Sequence, residues 1–101
     1  MNSLLQPYLK NIYLDNEKRI IVDVQPMFSS YLSDDKMKKS AKDGLTQILG
    51  ADFKQLEISS KGGRITVSEG KEEETLVLLE QKLIEGLSMA MQYMQNMQNN
   101  K

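Results

Sequence analysis

The chain contains no cysteine and no histidine. The first absence removes disulfides, thiolate nucleophiles and Cys-based zinc sites. The second removes an imidazole base, a Ser-His-Asp triad and His-held metals. Lys and carboxylate chemistry stay formally open, but no catalytic residue, metal site or cofactor is expected. Long apolar runs are also missing. The longest, Leu76 to Leu79, has four residues, against roughly 18 for a membrane-spanning helix. Residues Met1 to Lys10 include Gln6, Pro7 and Lys10 and do not read as a signal peptide. No membrane partner is expected, and the lack of Cys fits a cytoplasmic location.

What is present suits one small domain over residues 1–101. Hydrophobic residues make up 40% of the 101 positions, and the formal net charge is −1. Ser3 to Lys10 reads as a short helix with Ser3 as N-cap and Leu4, Leu5, Tyr8 and Leu9 at helical spacing. Ile12 and Leu14, a polar Asp15-Asn16-Glu17 turn, and Ile20, Val22 and Val24 then read as a hairpin with the last three facing the core. Pro26 ends it, and Met27 to Leu32 is a connector whose Phe28 and Tyr31 are expected to cover the core edge.

The central helix begins at Ser33 or Asp34, which suit an N-cap, and ends at Gly50. Met37, Ala41, Leu45 and Ile48 form its apolar stripe, with Leu49 beside it. Phe53 to Ser59 reads as a strand with Leu56 and Ile58 inward. Lys61-Gly62-Gly63-Arg64 reads as a tight turn into a second hairpin with Ile65 and Val67 inward. Glu72 to about Gln98 is a long helix, acidic in its first turn. Leu76, Leu79, Leu83, Leu87, Ala90, Met94 and Met97 recur along it, beside a row of Val77, Ile84 and Met91 seven apart. The expected class is α+β, in the order α-β-β-α-β-β-α, with an antiparallel sheet packed by two helices.

Two charged groups invite a chemical reading. Glu69, Glu72, Glu73 and Glu74 could offer oxygens to magnesium or calcium, but their place at a helix start accounts for them. Lys36, Lys38, Lys39 and Lys42 are candidate weak contacts to nucleic acid. An isoelectric point of about 5.4 and no interleaved aromatics favour a solvated helix face instead. The adjacent glycines of Lys61-Gly62-Gly63-Arg64 match neither a phosphate loop nor a KH backbone clamp.

The more unusual feature is the chain end. No charged residue occurs from Gly86 to Asn100, and four of the seven Met lie there. At about 1.5 Å per residue a helix this long outruns a small domain. Met91, Tyr93, Met94 and Met97 are therefore the candidate interaction residues, meeting a partner protein or pairing two copies in a homodimer.

Residues 19–59, RIIVDVQPMFSSYLSDDKMKKSAKDGLTQILGADFKQLEIS, resemble the small KH-like domain in the C-terminal part of bacterial DNA polymerase III clamp-loader gamma/tau subunits. They also resemble the N-terminal domain of the bacterial replication initiator. The shared pattern is an apolar strand, a connector with Phe28, a charged helix ending Ile48-Leu49-Gly50, and a strand Leu56-Glu57-Ile58-Ser59. The resemblance implies a non-catalytic adaptor that docks replication proteins. The element order is also similar to that of small acidic type III secretion chaperones, which implies a secreted effector as partner. A nucleoid-associated DNA-binding protein is the third expectation.

Overall fold

The computed structural model describes residues 3–50 and 53–99, with side chains as far as Asn96. Six regular elements follow one another: β1 (Leu9–Leu14), β2 (Ile20–Val24), α1 (Asp35–Leu49), β3 (Phe53–Ser59), β4 (Gly62–Val67) and α2 (Glu72–Asn99). The strands form one sheet in the order β1-β2-β4-β3, and every neighbouring pair is antiparallel. The fold is a small α+β domain, as composition and alternation imply.

The first helix of the expected order is not formed. Residues 3–8 make a turn in which the N–H groups of Tyr8 and Leu9 both donate to the Leu5 carbonyl, and Leu9 then opens β1. Pro7 has no N–H to give, and a single turn cannot repay the entropy of helix nucleation. Leu5 instead drops into the core. The Gln25 amide ties the turn down, donating to the Gln6 and Leu9 carbonyls at 2.9 and 3.3 Å.

The β1–β2 hairpin forms where alternation places it. Its loop is organised by Asp15, whose carboxylate accepts from the Arg19 and Glu17 N–H groups at 2.8 and 3.0 Å. The Arg19 guanidinium closes on the same carboxylate at 2.8 Å. Backbone hydrogen bonds from Arg19, then its side-chain bond, hold the Asp15 carboxyl below its ordinary value, against a partial desolvation that opposes them. β1 is an edge strand, and its Ile12 N–H donates to the Asn11 side chain at 3.0 Å.

The second hairpin turns earlier than its glycines suggest. Ser60 and Lys61 make the turn, and Gly62 and Gly63 both belong to β4. Gly62 pairs with Asp23 of β2 and Ser59 of β3, and carries φ +140. The glycine there serves contact with β2, not reversal of the chain.

α1 starts as expected, with the Asp34 carboxylate accepting from Lys36 N–H at 2.8 Å, and ends at Gly50 with φ +63. Ile12, Ile20, Val22, Leu56, Ile65 and Val67 line one face of the sheet. Leu49 from α1 and Leu79 from α2 close over it, with Leu45, Ile48, Leu76, Leu83, Ile84 and Leu87 packed around them. The opposite face carries the cross-strand row Tyr13, Ile21, Arg64 and Glu57. The connector forms two short 3-10 turns, Pro26–Phe28 and Tyr31–Ser33. Leu32 is its buried residue, whereas Tyr31 is 56% exposed and does not cover the core edge.

Candidate interaction surface

α2 has two different halves. In the first, Leu79 is fully buried and Leu76, Leu83, Ile84 and Leu87 lean on the core. Beyond Ser88 every described side chain is exposed. Met89 is 69% and Met94 61% exposed, and Met91 and Tyr93 stand open beside them. A helix of 28 residues is about 42 Å long, and the molecule measures 50 × 27 × 23 Å along its principal axes. The sheet is too short to cover such a helix, so the domain runs out before the apolar stripe does.

The structure thus brings Met91, Tyr93 and Met94 together on one protruding segment. Met97 falls in α2, but its side chain lies outside the described residues. Val77 adds an exposed apolar position that helical periodicity assigns only to a neighbouring row. Ile84, seven residues further on, is packed against the core, so the row of Val77, Ile84 and Met91 is exposed only at its two ends.

The lysines of α1 are arranged differently. Lys36, Lys39 and Lys42 are exposed and Lys38 is half-buried. None forms an ion pair among the described residues. Asp34, Asp35 and Asp43 are interleaved with them, so they do not build a continuous basic field. At the start of α2 the Glu72 carboxylate accepts from Gly70 N–H at 3.1 Å, and Glu74 pairs with Lys71 at 3.3 Å. These acids complete a helix terminus. Among the described residues no group of three acids could hold a metal ion. No described helix is long and apolar enough to cross a membrane.

A second surface feature escapes sequence reasoning. Tyr8, Leu9, Val24, Phe28, Tyr31 and Leu32 line a wholly apolar cleft of about 220 Å³. The Tyr8 and Phe28 rings meet inside it, centroids 5.7 Å apart and tilted by 36°. Its residues come from the N-terminal turn, both strands of the first hairpin and both 3-10 turns, a convergence that no local spacing announces.

Compared with protein-family models, curated proteins and solved structures, the chain finds no match in any of the three.

Proposed function

We propose that this protein is a non-catalytic protein-interaction module that docks through the stretch of α2 beyond Gly86, and that the helix seated there is α2 of a second copy. The observation that carries the reading is that Met89, Met91, Tyr93 and Met94 all stand exposed on a segment free of charge, with Met91 and Met94 three residues apart on one edge of the helix. A segment without charge offers nothing to steer a charged partner and nothing to repel its own image. A two-fold pairing lets the same Met91–Met94 edge serve both sides. Met91 and Met94 give each helix an exposed apolar edge that such a pair can use.

Magnitudes set the expected strength. Burying one Met contributes about 1.5–3 kcal/mol, so Met91 and Met94 on both copies supply on the order of 6–12 kcal/mol. Association costs about 4–15 kcal/mol. The dimer is accordingly weak, and visible only at high protein concentration.

Sedimentation and thermal melting on the same samples test this. The wild-type protein should approach twice the chain mass as concentration rises. Met91→Ser/Met94→Ser should stay folded, melt as the wild-type monomer does, and remain at the monomer mass throughout. A wild-type protein that stays monomeric, or a double variant that dimerises equally well, overturns the reading.

A further inference from the structure

We propose that the aromatic cleft of Tyr8, Phe28 and Tyr31, together with the adjoining Lys10 and Lys61, is a binding site for a short acidic peptide segment carrying one aromatic or bulky aliphatic anchor. This site is separate from α2 and stands whether or not α2 self-associates.

The cleft holds three of the chain's aromatic side chains, out of four Tyr and two Phe in all. It presents no polar group to read an amide or a sugar, so its complement is an apolar side chain. Its walls are fixed before any ligand arrives. The Gln25 amide holds the Gln6 and Leu9 carbonyls, and the Gln25 N–H donates to the Tyr8 carbonyl at 2.9 Å. The Phe28 N–H returns to the Gln25 carbonyl at 2.9 Å, and the Ser33 hydroxyl donates to the Ser29 carbonyl at 2.9 Å. A pre-ordered wall spares the ligand the entropy of organising it.

Charge says what flanks the anchor. Val24 lines both this cleft and a second one of about 350 Å³, whose other residues are Lys10, Asp23, Pro26, Ser29 and Lys61. Neither lysine makes an ion pair among the described residues. Two ammonium groups against the single Asp23 carboxylate leave this cleft positive on a protein whose net charge is −1. An apolar seat beside an unneutralised cationic one fits a peptide with a hydrophobic residue next to carboxylates. A nucleic-acid strand is the less suitable occupant. It wants a cationic track longer than two lysines, and Asp23 would face its phosphates.

The test is an amide ¹H–¹⁵N NMR titration of the full chain. The probe is an acetylated, amidated pentapeptide of phenylalanine flanked on each side by two aspartates. Shifts should be confined to Leu9, Lys10, Val24, Phe28, Tyr31, Lys61 and their neighbours. Binding should weaken by roughly tenfold when the aspartates become asparagines, and again when the phenylalanine becomes alanine. Tyr31→Ala and Lys10→Gln/Lys61→Gln should each weaken it by about the same factor while the rest of the spectrum stays in place. Both variants alter surface side chains, so either serves if the other perturbs the fold. Equal binding of the asparagine peptide overturns the proposal, as do shifts mapping elsewhere or no binding near about millimolar peptide. Tighter binding of a thymidine octamer at the same residues would assign the cleft to single-stranded nucleic acid instead.

Discussion

Gly62 sits against Val22 so closely that a Cβ built on it would stand 1.8 Å from the Val22 carbonyl oxygen and 2.9 Å from its carbon. Both atoms are backbone, in the β2–β4 pair at the centre of the sheet. Gly62→Ala must therefore push the central strands apart, and the φ of +140 adds strain that an L side chain rarely accepts. A loss of about 3 kcal/mol or more is expected in urea unfolding. Gly63→Ala next door makes only ordinary contacts, with the ends of Ile58 and Leu45 at 3.5 and 3.9 Å and the Glu57 carbonyl oxygen at 3.9 Å, and should be far milder. Equal losses at the two positions would contradict this account.

Asp15 should make the protein sensitive to acid. Its folded pKa is depressed, first by the Arg19 backbone hydrogen bond. The ionised carboxylate therefore stabilises the fold above the ordinary value of 3.8, and that contribution disappears as pH falls through the folded value. Between about pH 5 and 2 the wild type should lose more stability than Asp15→Asn. Carboxyl ¹³C titration checks the cause directly: a midpoint at or above the ordinary value would remove it.

The two halves of α2 should respond unequally to side-chain truncation. Leu79 is fully buried, and Leu79→Ala should cost about 2–5 kcal/mol. Met94→Ala should leave monomer stability within about 0.5 kcal/mol. Thermal melts at low concentration read both.

Gly86 is a helix-interior glycine where an added Cβ would meet nothing within 4 Å. Gly86→Ala should stabilise the chain by about 0.5–1 kcal/mol, seen as a higher melting temperature. A lower one would mean that α2 needs the glycine for a bend or a close neighbour.

Where local chemistry decides structure, the sequence is readable. Asp34 and Gly50 bracket α1 because a cap is chosen within one turn. Ile20, Val22, Ile65 and Val67 alternate because one sheet face is covered. The α2 extension is visible because charge stops at Gly86 while apolar spacing continues. Leu4, Leu5, Tyr8 and Leu9 mislead, since spacing of three and four also occurs in a turn that delivers Leu5 to the core. The glycine pair misleads more instructively. Turns favour glycine, but here the need comes from Val22, about forty positions earlier in the chain, through a strand pairing that local pattern does not encode. The aromatic cleft is hidden for the same reason, because Tyr8 meets Phe28 only after the first hairpin has closed.

The Asn11 side chain has a wider effect than one 3.0 Å hydrogen bond suggests. An open edge strand is a template on which identical chains can stack into aggregates, and its bare N–H groups are the points of attachment. By occupying the Ile12 N–H from within, Asn11 leaves a would-be intruding strand one donor short at the middle of β1. The β1 edge is thereby made a poorer polymerisation front at its middle.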